Sequence, residues 1–277
     1  MAIRPTHLLL VLALAAPLAF AQSPAQPATS PACATPALAT FDVATIKPSD
    51  QPSGSSHFGG TTDTLSAGGT VRRMLQYAYN VQDFQISGGP AWLGSETWEV
   101  LAKVEQPPPR WSALSGRERG AVESERMRAV LTARFHLQCH FETKELPLYN
   151  LVLAKGGPKP ALAPTPPDSK SKGNFSNNGR NRAYRMEATG VPIDSLASNL
   201  VWFLGRQVID KTGLSGLYTF TLNYISDPDA GSSATADEPS GPTIFTALEE
   251  QLGLKLESAK GPVPILVIDS ISRPSEN

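Results

Sequence analysis

Two histidines set four apart, in the stretch HLQCH at 136–140, are the residues of this chain that most resemble a metal grip. On a helix, His136 and His140 would share a face and could hold zinc. The flanking pattern predicts something else: Leu137, Cys139 and Phe141 alternate with polar residues, as on a strand. Histidines four apart on a strand stand about 13 Å apart, too far for one ion. The expectation is therefore two solvent-facing histidines, with no metal and no cofactor. The GLSG around Ser215 offers a hydroxyl, but it is not G-x-S-x-G and does not lead from a strand into a helix. Asp210 beside Lys211 reads as a strand-end ion pair rather than an acid–base couple. Asp194 opens a helix and Glu249 and Glu250 sit on another, so no two carboxylates are placed for glycoside hydrolysis. No catalytic residue is assigned.

Residues suited to contact are easier to find. Trp92 lies in the corner GGPAWLG and Trp111 follows three prolines, and a tryptophan on such a corner serves either as a partner contact or as a lid over the core edge. Lys155 and Lys159, with Lys170, Lys172, Arg180 and Arg182, make the segment from 155 onward basic, which suits either a solvated loop or contact with an acidic partner. Leu214 tops a second glycine corner, TGLSG. Trp92, Trp111, Lys155, Lys159 and Leu214 are the expected binding residues.

Something must position these residues, and the bulk composition bounds it. The chain has 277 residues, enough for one large domain or two small ones. Arg4 and His7 precede the apolar run LLLVLALAAPLAF, and Ala19 and Ala21 supply an A-x-A site. Residues 1–21 therefore read as a secretory signal peptide cleaved before Gln22, with an uncleaved anchor as the alternative. The expected location is exported, periplasmic or extracellular. A net charge of −1 excludes an obligate nucleic-acid binder, and no later stretch is apolar enough to form a transmembrane span. Export permits a disulfide between Cys33 and Cys139, but nothing in the sequence brings the two together.

Residues 22–40 form a Pro/Ala-rich spacer expected to be disordered. The stretches 105–110, 156–181 and 226–242 are connector and loop in composition. Between them, periodicity predicts helices at about 70–79, 115–134, 192–204 and 243–252. Strands are expected at about 41–49, 84–87, 97–104, 136–143, 148–154, 184–188, 207–210, 217–224, 254–258 and 263–269. This order reads as the same twice. Met74 and Leu196, Ala78 and Leu200, and Trp98 and Phe220 align at an offset of 122. Leu131 and Leu248, and Leu137 and Leu254, align at 117. The expected fold is α+β, two pseudo-repeated halves, each with two helices packed on a small mixed sheet. The first half is 41–155, a basic Pro-rich loop 156–182 follows, and the second half is 183–277. The TGLSG corner is then a structural turn, where glycine supplies a positive φ.

Several blocks carry a resemblance: FDVATIKPS, ISGGPAWL, ARFHLQCHFETKELPLYNLVLAKGGPK, VIDKTGLSGLYTFTL and TALEEQLGLKLESAKGPVPILVIDSISRPSEN. In this order they resemble successive blocks of a soil-associated bacterial protein family defined by a domain of unknown function. The resemblance covers 41–277 and implies an exported or envelope-facing protein; it lends no catalytic residues. The segment 192–269 is also similar in element order to the short N-terminal domain of secretins and TonB-dependent receptors, which docks partners, although the acidic loop before the last helix departs from it. The function expected is an exported, non-catalytic binding or protein-interaction module with an envelope or extracellular protein as partner. The alternative is an extracytoplasmic hydrolase, with His140, Glu142 and Lys155 converging between the halves.

Overall fold

The computed structural model of the chain describes residues 33, 41–105, 110–166, 173–180, 182–226 and 240–274. The expected signal peptide, the spacer apart from Cys33, Lys170, Lys172 and most of the acidic loop lie outside the described residues. The element order is β1 (Phe41–Ser49), β2 (His57–Gly60), β3 (Thr64–Thr70), α1 (Val71–Tyr79), β4 (Ile86–Gly88), β5 (Thr97–Val104), α2 (Gly116–Phe135) and β6 (Gln138–Leu153). It continues with β7 (Ala163–Pro164), β8 (Asn174–Arg180), β9 (Ala183–Val191), α3 (Ile193–Leu204), β10 (Val208–Asp210), β11 (Tyr218–Ile225), α4 (Ile244–Ala247) and β12 (Leu254–Ser270).

Three four-stranded sheets result. A first outer sheet has the order β1-β5-β3-β2, a second outer sheet β7-β11-β9-β8, and a central sheet β10-β6-β12-β4. Both outer sheets are antiparallel throughout. The central sheet is mixed: β6 and β12 run antiparallel from Leu153 opposite Leu254 to Gln138 opposite Ser270, while β4 joins β12 and β10 joins β6 in parallel.

This corrects the expected fold class. Strand makes up 45% and helix 28% of the described residues, so the protein is mainly β rather than helices on small sheets. Nor is the chain two halves with a sheet each. β4, from the first stretch, pairs with β12 from the last, and β10 pairs back with β6. The physical cause is the length of β6 and β12. Each was expected as two short strands, yet each is continuous. Proline lacks the N–H that a ladder on both sides requires. Pro262 and Pro264 precede Leu266, where β4 begins to pair, and Pro147 precedes Tyr149, where β10 begins. At the prolines the outer side of the strand therefore carries no partner, and the missing donor costs nothing.

Helix ends follow their caps. Thr70 accepts from the Arg73 N–H at the start of α1, and Asn80 closes it in the left-handed region at φ 51°. Ser115 and Glu118 form a reciprocal capping box at the start of α2. The last expected helix, about 243–252, is present over 244–252, as α4 running on into a π-helical stretch, Leu248–Leu252. β2, β3, β7 and β8 were not anticipated. TLSAGGT and NFSNNGR are poor in β-branched residues and rich in glycine and asparagine, so pairing rather than propensity makes them strands.

Two large cores take in opposite ends of the β6–β12 ladder, with a small third cluster, Leu148, Val263 and Ile265, between them. The first joins Leu65, Met74, Trp98, Val100, Leu131 and Phe135, and the second joins Met186, Leu200, Phe220, Leu222, Leu248 and Leu254. β12 feeds both, with Leu266 and Ile268 in the first and Leu254 and Leu256 in the second. Cys33 and Cys139 form a disulfide with Cα atoms 5.3 Å apart, and the Cys33 N–H donates to the Cys139 carbonyl at 2.9 Å. The bridge ties residue 33 to the start of β6.

Candidate functional site

The expected contact residues do not gather in one place. Trp92 is half-buried in the turn Ala91–Gly94, with the Arg273 guanidinium 5.1 Å above its ring. Glu96 holds that guanidinium at 2.5 and 2.8 Å. Trp111 is likewise half-buried, and Arg126 lies 5.1 Å from its ring centroid. A cation thus occupies one face of each indole. Lys155 and Lys159 do come together, lining a hollow of ≈ 510 Å³ with Phe245, Glu249, Glu250 and Lys255. Its charges are of both signs. Leu214 is not part of that lining and packs on the second core.

The TGLSG corner is occupied by its own hydrogen bonds. Asp210 accepts from the Thr212 N–H at 2.9 Å and its hydroxyl at 2.8 Å, in place of the expected ion pair with Lys211. Leu214 N–H donates to Thr212 Oγ1, and Tyr218 donates to the Ser215 carbonyl. Gly213 and Gly216 hold φ of 71° and 96°, which only glycine adopts without strain.

The histidines part company because α2 runs to Phe135, so that its cap takes up His136 and β6 begins only at Gln138. His136 is the residue that closes α2, at φ 53°, and its Nδ1 meets the Ser272 hydroxyl at 3.0 Å. His140 is on β6, where Nδ1 lies 2.9 Å from Asp269 Oδ1 and Nε2 lies 3.4 Å from Glu142 Oε1. Asp269, then Glu142, raise the His140 pKa by hydrogen bonding to its charged form. Lys144 completes a line of alternating charge at 3.5 Å from Glu142. Lys155 follows the opposite end of β6, so it does not meet His140 and Glu142. Among the described residues there is no group of three or more His, Cys, Asp and Glu placed to hold a metal.

The feature that does converge is a cleft between α1 and α2. It encloses ≈ 600 Å³ and is lined by Phe58, Arg73, Tyr77, Tyr79, Arg117, Gly120, Ala121, Ser124, Arg128 and Trp202, among others. Packing explains its form. α1 and α2 bury Met74, Leu75, Met127, Val130 and Leu131 beneath them. The other face of α2 repeats Arg117, Gly120, Ala121, Ser124 and Arg128 at three- and four-residue spacing, so small side chains floor the cleft and an arginine stands at each end. Phe58 on β2 stacks on Tyr77 at 4.4 Å with the rings 7° apart, and Trp202 from the end of α3 adds a side chain that is 51% exposed.

The electrostatics of the cleft are one-sided. Arg73 donates to Gln76 Oε1 at 3.1 Å, and Arg128 lies 5.9 Å above the Tyr79 ring with its Nε buried and unpartnered. No carboxylate pairs with Arg73, Arg117 or Arg128 among the described residues. The nearby carboxylate of Glu123 accepts from the Tyr77 hydroxyl at 2.7 Å. Burial, then that bond, drive the Tyr77 pKa far up, and burial raises that of Tyr79. Both phenols stay neutral, so the guanidinium groups set the charge.

Another arginine of α2 has a different task. Arg126 is 1% exposed and donates to the carbonyls of Thr61, Thr62 and Thr64 at 2.8, 2.6 and 3.1 Å. Desolvation lowers its pKa. It fixes the β2–β3 connection, and so fixes Phe58 at the cleft.

The α2 arginines carry no signal of a cleft in the sequence, because charges on one face of a helix are ordinary there. The Arg–small–small–small–Arg stripe on 115–134 was visible, but only the crossing of α1 over it makes a cavity. A family model described as Protein of unknown function (DUF3738) matches residues 72–271. No curated protein and no solved structure matches the chain.

Proposed function

We propose, from the premise that the chain belongs to this family of unknown function, that it is an exported, non-catalytic binding module that takes its ligand in the α1–α2 cleft. The single observation that carries the reading is the concentration there of aromatic walls and uncompensated guanidinium groups. Tyrosine, tryptophan and arginine are the side chains that dominate binding energy at interfaces. A cavity of this size is also typical of ligand sites. Export is supported by the apolar leader with its A-x-A site and by the Cys33–Cys139 bridge, which suits an oxidising compartment. The hydrolase alternative loses its proposed constellation, because Lys155 is remote from His140 and Glu142, and both carboxylates beside His140 are spent on orienting and charging it.

The experiment uses the mature chain and a Gly120→Leu variant as paired baits on envelope extract. A Cβ added at Gly120 meets nothing within 4 Å, so a larger side chain there fills the cleft and leaves the fold intact. One stoichiometric partner retained by the parent and lost by the variant supports the reading. Turnover of a peptide or glycan library by the mature chain alone overturns it.

A further inference from the structure

Resting on the cleft as the binding face, we infer that its ligand is an acidic peptide segment, two or more Asp or Glu flanking an aromatic residue, presented by a protein partner. Charge sets the first half of this assignment. Arg73, Arg117 and Arg128 all line the cavity, none has a carboxylate partner among the described residues, and the Arg128 Nε is buried without an acceptor. Desolvating a guanidinium without an acceptor is costly, so an arriving carboxylate is the group the cleft lacks. Arginine presents a planar fork that fits a carboxylate through two bonds.

Length sets the second half. Arg117 and Arg128 stand eleven residues apart on one helix, which at 1.5 Å per residue is about 16 Å. One small carboxylate satisfies only one end of such a span. An extended peptide covers it with about five residues. Between the two arginines the floor is Gly120, Ala121 and Ser124, which leaves room for a side chain to enter. The walls there are Phe58 stacked on Tyr77, with Tyr79 and Trp202, and these favour an aromatic residue at the centre. The net charge of the chain is −1, so no overall positive charge adds to the attraction of the cleft.

The test is selection of displayed random heptapeptides on the full mature chain, read by sequence enrichment, with affinity then measured for the enriched peptides. The expected result is enrichment of Asp and Glu around an aromatic residue, with affinity falling at least tenfold between 50 and 500 mM salt (numbers of the assay, on the order of a threefold change in Debye length). Arg117→Gln and Arg128→Gln each weaken binding about tenfold, the loss of one charge-assisted contact. Gly120→Ala retains binding and Gly120→Leu abolishes it, with unfolding midpoints at or above that of the parent for both, which separates a filled cleft from a damaged helix. Enrichment of neutral or basic peptides, no enrichment, or equal binding by Gly120→Leu overturns the acidic-peptide assignment. If the envelope partner is still lost on Gly120→Leu in those cases, the cleft remains the binding face and only the ligand class falls.

Discussion

The two outer sheets share a strand order, β1-β5-β3-β2 and β7-β11-β9-β8, yet the hollow of ≈ 600 Å³ on the first is walled by two helices, while that of ≈ 480 Å³ on the second lies against strands β8, β9 and β11. The difference lies in the helix that precedes each long central strand. Before β6 that helix is α2, twenty residues with a capping box, and it lies against α1. Before β12 it is α4, four residues and a five-residue turn. A long second helix gives the first layer two walls. The shorter one supplies no such second wall, and Trp202 and Phe203 at the end of α3 are exposed. Strand order therefore builds the scaffold, and helix length makes the site. The layers also differ in how they are secured: the disulfide and the buried Arg126 both serve the first.

That contrast can be broken at several points, beginning with the largest effect. Replacing both Cys33 and Cys139 by serine removes a link across a sequence separation of 106 residues, expected to cost about 5 kcal/mol by the closed-loop relation. Urea unfolding measures the loss, and amide exchange should accelerate in α2 and the first outer sheet before the second. Arg126→Met strips the donors from three backbone carbonyls and is expected to cost roughly 2–3 kcal/mol, again with faster exchange in the β2–β3 connection. Cores should not show the asymmetry. Leu131 and Leu248 are both fully buried, one in each, so truncation to alanine should cost about 3 kcal/mol in either; a large difference would mean that the second core is loosely packed.

A smaller effect separates the charge line on the central sheet from both layers. Asp269 and Glu142 hold the folded His140 protonated to higher pH than in the unfolded chain, where it titrates near 6.5. The stabilisation is therefore fully present below pH 6.5 and lost as pH rises through the folded-state value. The stability gap between the parent and His140→Gln should be wider at pH 5.5 than at pH 8.5 (assay settings on either side of about 6.5). The smallest change in stability is expected for Trp202→Ala, within about 0.5 kcal/mol because the side chain is half exposed, while peptide binding in the cleft drops severalfold.

How legible all this was depends on the kind of signal. α1, α2 and α3 were readable because apolar periodicity and caps agree at Thr70, Ser115 and Gly205. β5, β10 and β11 were readable from alternation. The fold class was not, because it turns on which strands pair, and three residues of β4 finding β12 leave no trace in local pattern. The continuity of β6 and β12 through Pro147, Pro262 and Pro264 was hidden for the same reason: whether a proline breaks a strand depends on whether a neighbour needs its N–H. The disulfide was undecidable, since Cys33 and Cys139 meet only through the tertiary fold. At the site, Trp92 and Trp111 drew notice as tryptophans on corners, and each instead lies against an arginine. Arg117 and Arg128 passed as ordinary helix charges because their lack of partners is a three-dimensional fact.

The most direct measurement is amide and indole chemical-shift mapping of the mature chain titrated with phenylacetate, the smallest probe that joins a carboxylate to a ring. Shifts concentrated at Tyr77, Tyr79, Gly120, Ser124 and the Trp202 indole, and absent in Gly120→Leu, are the predicted result. Shifts centred on the second outer sheet, at Tyr184 and Tyr224, or unchanged in that variant, would contradict the cleft as the binding face.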